Sequence, residues 1–91
     1  AYWEKNHSTQ PYYASEYGWS DYGPAYRYGY QSYAQHRGSD YDSIEREIEQ
    51  RWDSERGSSR LAWNDARPAV RDGWNYVDRA MADEGTRRGG H

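Results

Sequence analysis

Three histidines, His7, His36 and His91, are the first residues to weigh for metal or proton-transfer chemistry. A zinc site needs such groups at short helical spacing, as in His-x3-His or H-E-x-x-H, so that two rings share one face. Each of these three stands alone, and no cysteine is present to add a thiolate. No metal and no cofactor are therefore expected. Ser58 and Ser59 are the candidate nucleophiles, but neither lies in a G-x-S-x-G elbow; helix capping suits them better. Glu45, Glu47, Glu49 and Asp53 could form a carboxylate pair, yet helical spacing spreads them over polar faces. Arg46 and Arg51 stand ready to neutralise them, and without a cleft nothing shifts their pKa values. No enzymatic activity is expected.

The aromatic residues carry more information. The chain holds 5 Trp and 11 Tyr, and ten of those tyrosines precede Asp42. A stripe of Tyr22, Tyr26, Tyr30 and Tyr33 uses four of them. The remaining six are Tyr2, Tyr12, Tyr13, Tyr17, Tyr28 and Tyr41, and Tyr12, Tyr13, Tyr17 and Tyr28 with Trp19 are the candidate binding residues. Large rings with a polar tip suit a contact with a protein partner or a second copy of the chain. The competing role for the same rings is to cover the helices at home. Interleaved Tyr and Arg can also stack on bases, but Lys5, Arg27 and Arg37 face Glu4, Glu16, Asp21 and Asp40 in this half. That balance leaves no footprint for phosphate, so nucleic acid is not an expected partner.

The element that must position these rings is Leu61 to Met81. Trp63, Ala66, Val70, Trp74, Val77 and Met81 recur every three or four residues and form one apolar stripe on a helix. The chain has five Leu, Ile and Val residues and no Phe, so whatever covers the stripe is mostly aromatic. Pro68 implies either a kink in this helix or a start near Asn64. Ser58 and Ser59 are its candidate caps and Gly85 its candidate stop.

Asp42 with Glu45 has the form of a capping box, followed by Ile44, Ile48 and Trp52 every four residues, and Gly57 ends that helix. Upstream, Tyr22 to Tyr33 reads as a helix over 23–36, with Asp21 as cap, Pro24 in the first turn and Gly38 beyond the end. The alternation of Tyr26, Tyr28 and Tyr30 leaves strand as the alternative there. Residues 1–20 show no period and read as an extended arm across the helices.

Ninety-one residues with a net charge of −3 make one small, marginal domain with frayed ends; a domain of this size buries only ~60% of its unfolded surface. The charges are interleaved: 42–91 hold 11 of the 15 acids and 9 of the 12 Lys and Arg, as on solvated helix faces. No apolar run reaches the ~18 residues of a membrane span, no basic amphipathic face suits a membrane surface, and no signal peptide is visible. A start at Ala1 instead of Met is what a processed or trimmed product would show. Nothing fixes the compartment.

Tyr22-Gly23-Pro24-Ala25-Tyr26-Arg27-Tyr28-Gly29, with Arg71, Gly73, Trp74 and Val77 downstream, resembles a module found in many uncharacterised bacterial proteins. It is similar to one appended to general stress proteins and to some PRC-barrel-like proteins, and the resemblance spans roughly 2–77. Gly73 stands where the module usually has Ala. The resemblance implies a stress-response or envelope setting; it carries no settled activity.

The expectation is an all-α domain. An extended aromatic arm (1–20) packs on a helical domain (21–84) with helices at 23–36, 41–56 and 59–83, followed by a flexible tail (85–91). The expected core is Tyr26, Tyr30, Tyr33, Ile44, Ile48, Trp52, Trp63, Val70, Trp74 and Val77. The expected function is a non-enzymatic interaction or structural module, stress-related or an accessory subunit. A binder of glycans or small aromatic ligands is the alternative.

Overall fold

The computed structural model of the chain describes residues 2–89, with side chains through Ala82, and its regular elements are all helical. Four α-helices appear among these residues where three were expected: α1 (Tyr2–Asn6), α2 (Trp19–Gln35), α3 (Tyr41–Glu55) and α4 (Trp63–Gly89), with a 3-10 turn at His7–Thr9. The strand alternative for 23–36 falls, because 23–35 lie inside α2 and His36 is its C-cap.

The structure is organised on the crossing of α2 and α4. A Cβ on Gly29 would run into the backbone of Val70 and come within 2.8 Å of Trp74 N; one on Gly73 would lie 2.5 Å from Tyr26 O. Glycine here admits a close backbone approach, which outweighs its ~1 kcal/mol helix penalty. Ala25, Ala66 and Ala69, all fully buried, line the same seam. Contacts advance in step, from Asp21 with Arg60 through Tyr26 with Gly73 to Tyr33 with Trp74. The two helices therefore run in the same direction, and α3 returns between their ends.

The seam also exposes an internal repeat. Trp19, Asp21, Pro24, Ala25, Arg27 and Gly29 recur 44 residues later as Trp63, Asp65, Pro68, Ala69, Arg71 and Gly73. The contacts are reciprocal: Gly29 meets Val70, the counterpart of Tyr26, while Gly73 meets Tyr26 itself. That is the pattern of a two-fold axis between equivalent elements, here inside one chain. The flanks obey it too. From the second repeat, Trp63 faces Trp52 of α3; its counterpart Trp19 faces His7 of the N-terminal segment. Tyr28 donates to Ile48 O of α3, whereas its counterpart Asp72 accepts from Tyr12 of the N-terminal segment. The N-terminal segment thus occupies the place across the pair that corresponds to α3.

Several boundaries move for local reasons. Residues 2–9 are helical, not extended: Asn6 Nδ2 donates to Tyr2 O, His7 Nδ1 contacts Trp3 O and Glu4 O, and Thr9 Oγ1 donates to Asn6 O. Helix α2 starts four residues earlier than expected, with Gly18 as N-cap; Asp21 is the third helical residue and reaches back to Gly18 N at 3.3 Å. Pro24 then falls in the second turn, where it has no N–H to offer the carbonyl of Ser20, an exposed residue. The capping box at α3 is not formed. Asp40 is the N-cap, Glu45 instead grips Arg67 at 2.8 and 2.9 Å, and Asp42 pairs with Arg71 at 3.2 Å. Gly57, at φ +59°, follows α3 as expected. Helix α4 begins at Trp63, near the later start that Pro68 suggested, because 59–62 are held elsewhere. Ser59 Oγ donates to Asp21 O, and Leu61 O accepts from Trp52 Nε1. The helix passes Gly85 and continues to Gly89; Gly90 and His91 lie outside the described residues.

Of the expected core, Tyr26, Ile48, Trp52, Val70 and Trp74 are buried, while Tyr30, Tyr33, Ile44, Trp63 and Val77 are half-buried. Trp3, Tyr22, Tyr28, Tyr41 and Leu61 join them. Met81 leaves the stripe: it is 42% exposed, because α2 ends at Gln35 and nothing described covers that turn of α4.

Candidate functional site

Tyr12 lies in the irregular segment before α2, and its hydroxyl donates to Asp72 Oδ2 at 2.6 Å. A carboxylate only accepts, so the proton of Tyr12 is committed and the Tyr26 hydroxyl, in contact with it, donates to Tyr12. Burial first, and then the Asp72 carboxylate, raise the Tyr12 pKa far above the ordinary phenol value; burial raises Tyr26 as well. Both phenols stay protonated at neutral pH. The Tyr26–Tyr12–Asp72 chain pins the arm to α4.

Around it the rings interlock. Tyr26 is sandwiched, with Trp3 stacked at 4.4 Å and Trp19 at 6.1 Å. Tyr13 meets His7 and Tyr22 at 5.5 and 5.7 Å, and Tyr17 meets Tyr22 edge-on at 6.3 Å. The Tyr22 hydroxyl accepts from Ala14 N and donates to Tyr12 O. Four of the five candidate residues, Tyr12, Tyr13, Tyr17 and Trp19, are thus brought together, half-buried, around Tyr22 and Tyr26. Tyr28 is not among them. It is 6% exposed, sits on the far side of α2 against Trp52, and burial pushes its hydroxyl up to about 12. The five rings therefore do not form one contiguous exposed patch.

Asp21 anchors the base of this cluster. Its carboxylate is buried and accepts from Arg60 Nη2 at 2.7 Å, Arg60 Nε at 3.1 Å and Arg60 N at 2.8 Å. The guanidinium bonds hold its pKa down at about 2. Arg60 also covers the Tyr17 ring at 5.3 Å, so one arginine ties the arm, the start of α2 and the approach to α4 together.

The exposed aromatic surface lies outside the five candidate residues. Among the described residues, the large apolar side chains most open to solvent are Tyr2, Tyr76 and Met81, at 49%, 42% and 42%. Tyr2 and Tyr76 touch, with ring centroids 5.0 Å apart. They wall an open groove of about 490 Å³ with Arg79 and Ala80. A smaller groove of about 240 Å³ beside it adds Gln10, Asp72 and Asn75. Asp72, Asn75, Tyr76 and Arg79 follow an i, i+3, i+4, i+7 pattern, one face of α4. Tyr76 could have been found from sequence: it is the single tyrosine after Asp42 and lies off the apolar stripe.

The other candidates disperse. His7 is buried among rings, His36 lies 3.7 Å from Glu47, and His91 lies outside the described residues. Ser59 is spent on Asp21 O, and Asp53 pairs with Arg56. Among the described residues, no group of His, Asp and Glu gathers where it could hold a metal ion, and no helix is long and apolar enough to cross a membrane. The chain matches no family model, no curated protein and no solved structure.

Proposed function

We propose that the protein is a non-enzymatic interaction module that binds a protein partner through the Tyr2–Tyr76 face. The observation that carries this reading is the pair of touching, half-exposed rings at the junction of α1 and α4, beside an open groove. Solvent-facing tyrosine costs little to order and brings large area to a contact, which is why it is enriched at binding surfaces. The Tyr12–Tyr13–Tyr17–Trp19 cluster would support that face from behind. A stress-related setting, or a place as accessory subunit of a larger assembly, follows from the resemblance and belongs to the same proposal.

The test replaces Tyr2 and Tyr76 together with Ser. The melt is expected to stay within a few degrees of the parent, while capture of the native partner, or self-association followed by light scattering, is lost. A variant that melts early and still associates would return both rings to a structural role.

A second reading has its own observation: Gln10, Asp72, Asn75 and Arg79 set hydrogen-bonding groups beside the rings. A ring face with amide and carboxylate groups around it fits a saccharide. Titration of a glycan panel, followed at the Tyr2 and Tyr76 ring resonances, separates the two: saturable shifts in a monomeric protein favour the ligand site.

A further inference from the structure

The internal repeat makes one half of the molecule a guide to the other. In the second repeat, Arg71 and Asn75 on the outer face of α4 are met by the first turn of α3. The Arg71 guanidinium lies over the Tyr41 ring at 5.2 Å and pairs with Asp42 at 3.2 Å. An aromatic residue followed by an acid at a helix start is therefore what this Arg-x3-Asn face takes within the chain.

The counterparts in the first repeat are Arg27 and Gln31, on the outer face of α2. There the N-terminal segment stands in for α3, but its ring contacts on α2 are with the inner rings Trp19, Tyr22 and Tyr26 and not with Arg27. Arg27 is exposed and has no ion pair or hydrogen bond among the described residues. Beside it lies an open groove of about 330 Å³. Gly23 stands where the second repeat has Arg67, and Trp19 folds over it, its ring 3.0 Å from where a Cβ would be. The far wall is the end of α3, where Arg56 and Ser58 face the groove with Glu55. Arg56 is already engaged by Asp53 and Leu61 O, which leaves the unpaired Arg27 as the cation that draws an acidic occupant, and the indole supplies an aromatic wall.

We infer that this groove is a second docking site, for an acidic–aromatic segment of a partner protein that begins a helix as Tyr41–Asp42 begins α3. The ring of the segment lies on Trp19 and the Arg27 guanidinium, and its carboxylate pairs with Arg27. Gln31 serves the segment's backbone. A second copy of the chain is a poorer occupant, since each copy's own Tyr41–Asp42 turn is already seated on Arg71. This face shares no lining residue with the Tyr2–Tyr76 groove, so the two sites can act independently.

The probe is the chain's own seated segment, a labelled peptide of residues 39–47 (SDYDSIERE). It is titrated into the full chain, with fluorescence anisotropy for affinity and amide and indole shifts for position. Saturable binding with shifts at Trp19, Gly23, Arg27 and Gln31 is expected. Arg27→Ala should weaken it by about tenfold, the loss of one charge-assisted contact, with an unchanged melt. A peptide with its two Asp changed to Asn and its Tyr to Ala should not bind. Absence of binding at millimolar peptide would overturn the proposal. So would equal binding of the changed peptide, or shifts confined to Arg67 and Arg71, which would mean exchange with α3.

Discussion

Asp21 is the residue on which most of the chain converges. It binds Arg60 through side chain and backbone, closes the start of α2 at Gly18, and offers its carbonyl to Ser59. Local spacing assigned it a cap, and its other two partners, Ser59 and Arg60, lie 38 and 39 residues away, where no local pattern reaches. Its depressed pKa makes it a source of acid sensitivity in the fold, beside Glu45, whose pKa the bonds to Arg67 also lower. A carboxylate lowered from 3.8 to about 2 stabilises the folded state above the higher value. That contribution is lost as the pH falls from 3.8 toward 2. The parent's melting temperature should therefore drop through this window. Asp21→Asn should melt lower at neutral pH and lack this part of the acid slope. The measurement is a series of thermal melts across the acid range for both proteins; parallel curves would place the acid sensitivity elsewhere.

At the scale of elements, the glycines that look like defects in isolated helices are the fulcrum of the pair. Gly29→Ala and Gly73→Ala each gain ~1 kcal/mol of helix propensity. Each also drives a methyl into the backbone of the other helix, which cannot yield as a side chain can. Overpacking of this kind costs ~1–3 kcal/mol or more. Each substitution is expected to lower stability in a denaturant melt, whereas Gly18→Ala, where a Cβ would meet nothing within 4 Å, should not clash. A stabilised Gly29→Ala would show that the helices stand farther apart. The contrast explains which elements were legible. Helix α3 shows in the period of Ile44, Ile48 and Trp52, because one face of it is buried along its length. The start of α4 was legible from Pro68 and not from the apolar period, because Leu61 continues that pattern while its carbonyl is held by Trp52 and Arg56. Helix α1 has 5 residues, too few for a period to show. Tyr28 looked surplus since its burial depends on α3, a partner that periodicity along α2 does not reveal.

At the scale of the whole molecule, the chain is a pair of equivalent helices flanked by two unequal supports. Helix α3 is 15 residues of regular helix; the N-terminal segment is a short helix, a turn and a run of rings. Composition announced an aromatic cover, and the repeat shows why it must sit opposite α3: the α2–α4 pair has two corresponding flanks to shield. Trp3 is the rivet of the weaker flank, 7% exposed and stacked on Tyr26 with an angle of 4° between the rings. Its indole N–H is buried with no hydrogen-bond partner among the described residues. Two substitutions therefore separate shape from polarity. Trp3→Ala should cost ~3–5 kcal/mol, a large part of the ~5–15 kcal/mol that holds a domain folded. It should strip the cover from Tyr26 and broaden or abolish the cooperative melt. Trp3→Phe keeps a ring on Tyr26 and removes a donor whose burial costs ~1–3 kcal/mol, so it should recover most of the loss. Calorimetry on both variants decides the matter. If Trp3→Ala melts with the parent, the N-terminal segment is an ornament on a fold complete without it, and its correspondence to α3 has no energetic weight.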